Sequence, residues 1–515
     1  MPYIPLHNHS VHSLLDSALS IDALIAAAVE WQLPAIGLMD TNTLSGAVQF
    51  YKKARAANLH PVMGSDVRLL SGGGRVGLLV ENAAGYGNLC RLLSEMVKHP
   101  DGVLFEELHT HREGLICLLG PDSEPAMEAK KNGQPERRIA EYKEVFGRNL
   151  VLEITPHNED DLRLSRLFAT YARRQRVPLT AAAMAYYREP ADRAMYDVLA
   201  SMRTLTLLTQ THAEKRGAGH YHLHSPEEMR KHFGGLQQAL DNSARIAERC
   251  QFDFELGDIR FPRFPLPEGM TAQFMLRKLV TEGVAQRYGA DARAEVYERL
   301  ERELSIIYEV GYAEYFLIYH DIVQWANARG IATLARGSAA GSLVCYTLGI
   351  SNVCPFRFGL CFERFLNRER MQFQKLADID LDLPWDKRDE VVQYVFSRYG
   401  SEHVAMIGAR NTFQGRASVA DIAKVYGIPE REVRRFTERL PHFHGDVETV
   451  VDEMPECRDI PYKEEPYRSV LRMATAFQGI PRHRMMHPCG LVISSTPVTG
   501  LMPVFESAKG ILTTH

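Results

Sequence analysis

Residues 3–63 decide the fold: YIPLHNHSVHSLLDSALSIDALIAAAVEWQLPAIGLMDTNTLSGAVQFYKKARAANLHPVM. Short apolar runs at Tyr3 to His7, Ala35 to Met39 and His60 to Met63 alternate with helical stretches at Ser20 to Trp31 and Gly46 to Ala57. This is a β-α-β-α-β rhythm, and the simplest structure that satisfies it is a parallel sheet wrapped by helices. Further apolar runs at Val76 to Val80, Leu115 to Leu119, Leu150 to Ile154 and Pro178 to Ala183 carry the rhythm to about residue 185. Mostly helical sequence follows, from Glu189 to Glu255.

Working outward, the stretch DIRFPRFPLPEG (258–269) holds three prolines and predicts an extended linker, so a domain boundary falls there. Beyond it, Thr271 to Val310 and Phe316 to Arg329 read as amphipathic helices. A strand-loop-helix follows at Ile331 to Leu348, then a strand at Lys375 to Leu383 and a helix at Lys387 to Tyr399. Gly408 to Arg439 reads as a basic helical segment, with seven Lys or Arg against four acids. The expected divisions are 1–257, 258–269, 270–407, 408–485 and 486–515. The sequence stops in strand-like LMPVFESAKGILTTH, which reads as a chain cut short.

A length of 515 residues suggests about three domains, and 45% hydrophobic with 24% charged residues is ordinary globular composition, which excludes disordered, collagenous and small disulfide-framework classes. A net charge of −4 means that any nucleic-acid contact must come from local basic patches. Eight scattered cysteines without a CxxC pair predict reduced thiols. No run reaches the roughly 18 apolar residues of a membrane helix, and the N-terminus has no signal-peptide pattern, so the expectation is a cytoplasmic protein with no membrane partner.

Three patterns carry chemistry. In Ala377-Asp378-Ile379-Asp380-Leu381-Asp382-Leu383, three carboxylates share one strand face with apolar residues on the other. Clustered carboxylates repel unless a cation bridges them, and this array suits Mg²⁺ in a two-metal phosphoryl-transfer site or, alternatively, a solvated acidic face. In Ala335-Arg336-Gly337-Ser338-Ala339-Ala340-Gly341-Ser342, small residues between a strand and a helix let backbone N–H groups approach an anion, with Arg336 as a bidentate donor. The loop is no Walker motif, and the alternative is a tight helix start. His7-Asn8-His9 with Asp16 puts two imidazoles on one face of a strand end, as a metal site or as ordinary polar residues.

These residues carry a resemblance. YFLIYHDIVQWA, ARGSAAGS, FERFLNRER and DIDLDLPWDKRDEV, in that order, resemble the palm of C-family bacterial polymerases, the DNA polymerase III alpha subunits. LHNHSVHSLLDSALS, GLMDTNTLSGAVQFYKKA, PVMGSDV and YHLHSPEEM are similar to the PHP domain of the same family. The resemblance implies an α/β PHP barrel-like domain (1–257), a polymerase-beta-like α+β palm (270–407), a helical thumb (408–485) and a truncated return to the palm (486–515). It implies Asp380 and Asp382 as catalytic metal-binding aspartates with Asp378 in support. Arg336, Gly337 and Ser338 would hold the incoming dNTP, with Arg370 as a phosphate partner. Arg410, Arg416, Lys424, Arg434 and Arg435 would grip primer-template DNA through phosphates; Arg434 and Arg435 read equally as a solvated helix face. Mg²⁺ is the implied cofactor, and a sliding clamp and other replisome or repair subunits are implied partners.

Departures matter too. His7, His9 and Asp16 match the family's PHP metal ligands, and Asp66 stands in for a Glu. Thr41, Arg75, Pro121, Ala183 and Ala185 occupy positions where further ligands belong. The expectation is therefore a vestigial PHP site without exonuclease activity. LMDTNTLSG and HPCG look more like compact or error-prone members than the principal replicase. The family's third palm aspartate would lie beyond the last residue. Two other readings stay open: a non-catalytic DNA-binding module, and a metal-dependent phosphoesterase built on the PHP domain.

Overall fold

The structure, a computed structural model, describes residues 2–70, 72–257, 261–290, 292–367, 377–440, 446–457 and 462–515. They form two compact units. The first comprises Met1–Phe254, Met406–Gly490 and Thr499–His515, and the second Glu255–Ala405 and Leu491–Val498. The segment expected as a thumb thus falls in the first unit, as do residues 499–515.

In the first unit six strands, β1 (Ala35–Thr41), β2 (His60–Arg68), β3 (Arg75–Val80), β4 (Leu115–Leu119), β5 (Leu150–Ile154) and β6 (Leu179–Ala181), lie side by side in chain order. The sheet is mixed, which corrects the expected parallel one: β1–β2 and β4–β5–β6 are parallel, whereas β3 is antiparallel to both neighbours. Only six residues, including Gly72-Gly73-Gly74, join β2 to β3. That is too short for a parallel crossover, so the chain must double back.

The expected opening strand Tyr3 to His7 is not a regular strand; it forms the seam of the curled sheet. Gly37 N–H donates to Pro5 O at 2.9 Å and Met39 N–H to Asn8 O at 2.8 Å along β1. His9 N–H donates to Ala185 O at 2.9 Å beyond β6, beside the Asn8–Ala185 bridge. Both sheet edges are thereby covered, which removes the exposed backbone that an open sheet would offer. Position 37 must be glycine here, because an added Cβ would sit 2.0 Å from Leu6 O.

Side-chain parity divides the barrel. Ile36, Leu38, Met63, Val67, Val76, Leu78, Cys117 and Leu152 point outward and pack under the helices. These include Ile21–Glu30, whose N-cap Ser20 accepts from Ala23 N–H, and Ala47–Ala56. Ala35, Val62, Leu79, Ile116 and Val151 point inward, and one end is filled by Ala244, Ile246, Ala247 and Cys250 from the helix Gln237–Arg249 and its C-cap. The strands are buried on both faces, which explains their continuous apolar runs. Continuing the same parity, Asp66, Arg75 and Glu153 also face inward, toward the other end of the barrel.

Helices Gly415–Val425, Glu430–Thr437, Val447–Glu453 and Tyr467–Ala476 share a core of Val419, Ile422, Val433, Val470 and Phe477 with Val198 and Leu199 of the helix Arg193–Arg203. A second sheet has the order β10 (Pro481–Ile493), β9 (Val404–Thr412), β12 (Leu512–Thr514), β11 (Val504–Glu506). Residues 408–412, expected as the start of a basic helical segment, belong to β9.

The second unit packs helices Ala272–Tyr288, Ala294–Glu309, Ala313–Asn327 and Leu343–Thr347 around Leu276, Val280, Leu304, Phe316 and Val344. It carries a two-stranded antiparallel ribbon, β7 (Leu334–Arg336) with β8 (Asp380–Asp382), and the helix Arg388–Tyr399. Among the described residues, no helix is long and apolar enough to cross a membrane.

Candidate functional site

The β7–β8 ribbon brings together two patterns that are distant in the chain. Arg336 is the register partner of Asp380, and its Nε lies 2.9 Å from Asp382 Oδ1. Asp378, Asp380 and Asp382 are exposed, Ile379 is buried, and Leu381 and Leu383 are half-buried, the alternation expected from the sequence. The backbone ahead of β8 is pinned by three tyrosines spaced along one helix face. Tyr312 OH accepts from Ala377 N–H at 3.1 Å, Tyr315 OH accepts from Ile379 N–H at 3.1 Å, and Tyr319 OH donates to Ile379 O at 2.8 Å.

After β7 the chain turns through the short 3-10 helix Gly337–Gly341, with Gly337 at φ +74° and open space around its α-carbon, into the helix Leu343–Thr347. A buried ion pair on the helix Ala294–Glu309 fixes the end of this loop. Arg299 donates to Gly341 O at 2.7 Å and to Glu303 Oε1 at 2.9 Å. Glu303 Oε2 accepts from Ser342 Oγ at 3.0 Å and from Val344 N–H at 3.1 Å. Burial raises the Glu303 pKa despite the opposing effect of Arg299. Nothing in the sequence singled out Arg299 or Glu303, which sit in an amphipathic helix rich in charges.

Arg370 lies outside the described residues. Lys424, Arg434 and Arg435 are exposed, and Arg416 is half-buried. Arg434 pairs with Glu430 one turn away at 3.5 Å, as a solvated helix face would. Arg410 lies on β9 with its guanidinium against His12.

The barrel's polar end holds the second cluster. His7, His9 and Asp66 offer ligand atoms within 4.8 Å of one another. Neither His7 Nε2 nor His9 Nε2 has a hydrogen-bond partner among the described residues. His7 Nδ1 meets the buried Glu153 carboxylate at 2.8 Å; burial opposes its charging, but Glu153 lifts its pKa above the ordinary value. Burial pushes His9 well below the ordinary value, reinforced by His7, Arg216 and Arg75, while its ring stacks on Tyr186 at 4.2 Å.

Asp16 is not a member of that trio. It is held by Arg75 at 3.3 Å and Arg203 at 3.0 Å, while Arg75 also reaches Asp66 at 3.4 Å. Arg216 pairs with Asp122 at 3.0 Å and lies over the Tyr186 ring. Asp40 accepts from Ser10 and Ser13 hydroxyls, and burial raises its pKa to about 6. The positions read as lost carry no ligand in the fold: Thr41 donates its hydroxyl to Asp16 at 3.4 Å, and Ala183 and Ala185 are buried beside the seam. Glu153, Asp122, Arg203 and Arg216 were not legible as members of this cluster, because no motif spacing links them to His7 and His9.

Comparison with known families settles the class. Residues 5–157 match the PHP domain, and residues 274–515 match the "Bacterial DNA polymerase III alpha NTPase domain". The chain joins a PHP domain to a bacterial DNA polymerase III alpha domain. It is 34% identical to the error-prone DNA polymerase of Symbiobacterium thermophilum, over 99% of this chain and 49% of that protein. It is 31% identical to the DNA polymerase III subunit alpha of Thermus aquaticus (99% and 49%) and of Bacillus subtilis (100% and 47%). The chain therefore spans about half the length of the curated relatives it matches. Error-prone DNA polymerases and DNA polymerase III alpha subunits match at similar identity, so identity alone does not sort this chain between them.

Proposed function

We propose that this chain takes part in template-directed DNA synthesis, with residues 270–407 as the palm and 408–485 as the thumb. In this reading Asp380 and Asp382 hold Mg²⁺ with Asp378 in support, and Arg336, Gly337 and Ser338 bind the dNTP triphosphate. The observation that carries it is the β7–β8 ribbon, which sets Arg336 beside the two aspartates. The donors fit the ion: hard carboxylate oxygens, exposed and clustered on one strand face. When bound there, Mg²⁺ supplies charge neutralisation for attack by a primer 3′-hydroxyl and departure of pyrophosphate.

The chain's own residues do the positioning. The Arg336–Asp382 pair has side chains 63% and 48% exposed, and such pairs are worth only about 0–1 kcal/mol. Arg336 can therefore exchange a carboxylate for a triphosphate at little cost. The Glu303–Arg299 clamp fixes the far end of the loop, and the tyrosines fix the acidic strand, so both partners are held before substrate arrives. Lys424, Arg416, Arg434 and Arg435 would contact duplex phosphates. Arg410 would have to leave His12 to join them.

Asp380→Ala and Asp382→Ala each abolish primer extension in the complete polymerase, while thermal midpoints stay within about 2 °C of wild type, because removing one of several clustered like charges does not destabilise. Extension at the wild-type rate by either variant refutes the assignment.

A metal-dependent phosphoesterase on the PHP domain has one observation in its favour, the convergence of His7, His9 and Asp66. Against it, Asp16 and Asp66 already pair with arginines, and five ligand positions carry Thr41, Arg75, Pro121, Ala183 and Ala185. The favoured reading is a PHP domain without nuclease activity, which predicts no Mn²⁺- or Zn²⁺-stimulated release of 3′-nucleotides.

A further inference from the structure

We propose that Arg75, Arg203 and Arg216 are built-in counter-ions of the PHP pocket, standing where a PHP metal centre would put its cations, so that the wild-type pocket excludes a divalent metal. This rests on the PHP match and is independent of the polymerase reading. Three pocket aspartates already have a guanidinium partner, while Asp40 is held by Ser10 and Ser13: Asp16 has Arg75 at 3.3 Å and Arg203 at 3.0 Å, Asp66 has Arg75 at 3.4 Å, and Asp122 has Arg216 at 3.0 Å. Arg203 also meets Glu214 at 3.0 Å, which Arg68 pairs in turn, so four cations meet four carboxylates, and Glu153 is taken by His7 at 2.8 Å. The account closes without a metal.

A divalent ion placed among His7, His9 and Asp66 would bring two further positive charges beside Arg75, in a pocket where Asp66 is 2% and Arg75 14% exposed. Like charges at such separations repel strongly once water is excluded. It would also have to take Asp66 from Arg75, leaving a buried guanidinium short of a partner. Two imidazole nitrogens free of hydrogen bonds are therefore a remnant of ligand geometry inside a pocket whose field opposes the ligand. Arg75 is the key residue, because among the described residues it is the arginine that pairs with both Asp16 and Asp66.

The exchange is testable with zinc alone, on the full 515-residue chain. After equilibration with ZnCl₂ and gel filtration, elemental analysis of the wild type finds less than about one-tenth of an equivalent, and zinc leaves its thermal midpoint unchanged. Arg75→His removes the competing charge and adds a fourth donor; it retains about one equivalent and gains thermal stability with zinc, and adding His9→Ala abolishes both. Stoichiometric zinc in the wild type that is lost in His9→Ala overturns the proposal. So does a folded Arg75→His protein that takes up no zinc. If Arg75→His fails to fold, the wild-type pair of measurements decides alone.

Discussion

Replacing Glu303 by alanine should unfold the second unit at a much lower temperature, and the size of the effect follows from its neighbours. The side chain is fully buried, and it accepts from Arg299, from the Ser342 hydroxyl and from Val344 N–H, at 2.9, 3.0 and 3.1 Å. Truncation strips Arg299, only 13% exposed, of its carboxylate and orphans two further donors. Breaking a buried pair by removing one partner costs about 3–5 kcal/mol. For a unit of this size each kcal/mol lowers the midpoint by roughly 2–4 °C, so Glu303→Ala should fall by about 6–20 °C in calorimetry of the full chain. Replacing both partners by apolar residues of similar volume, Arg299→Met with Glu303→Leu, leaves no uncompensated charge and should recover most of that loss. A loss below about 1 kcal/mol for Glu303→Ala, or a double variant as unstable as the single, would refute the idea that a dry ion pair clamps the loop.

Other expectations are more local. Tyr319→Phe removes only the hydroxyl that donates to Ile379 O, and should cost about 0.5–1.5 kcal/mol in urea denaturation, with Tyr312→Phe behaving alike and the two losses summing; unchanged midpoints would show that the tyrosines do not hold the acidic strand. His224 is buried against His222, with His232 and Glu228 facing it, and burial pushes its pKa down to about 3. Because the unfolded chain takes up a proton near pH 6.5 and the folded chain does not, stability is complete above that pH and is lost as pH falls. The loss reaches about 2 kcal/mol at pH 5, so His224→Phe should flatten the pH dependence between 6.5 and 5, and a variant as pH-sensitive as wild type would contradict this.

Strands buried on both faces announce themselves as unbroken apolar runs, which is why β4 and β5 were legible to the residue. Their direction was less so. Alternating helices and strands suggest parallel pairing, and only the brevity of the Gly72-Gly73-Gly74 connection betrays the reversal at β3. The ribbon residues were legible because small residues and alternating acids are unusual compositions. Arg203, Arg216 and Glu303 were not, since an inward-facing charge in a charged amphipathic segment has the same letters as an outward-facing one. Its meaning comes from a partner distant in sequence, as with Asp16 for Arg203 and Ser342 for Glu303.

The seam made by the first ten residues ties the earliest part of the chain to one of the last parts of the barrel. Asn8 bridges Ala185, so the barrel cannot shut until the ribosome has made everything between them, roughly ten to thirty seconds of synthesis at usual rates. Until then the seam segment, paired on one side with β1, carries an unpaired edge on the other, and the two histidines lie on it. The domain's closure is thus a long-range, late event with a large loop to close, and a chaperone that shields strand edges would find its longest-lived substrate here.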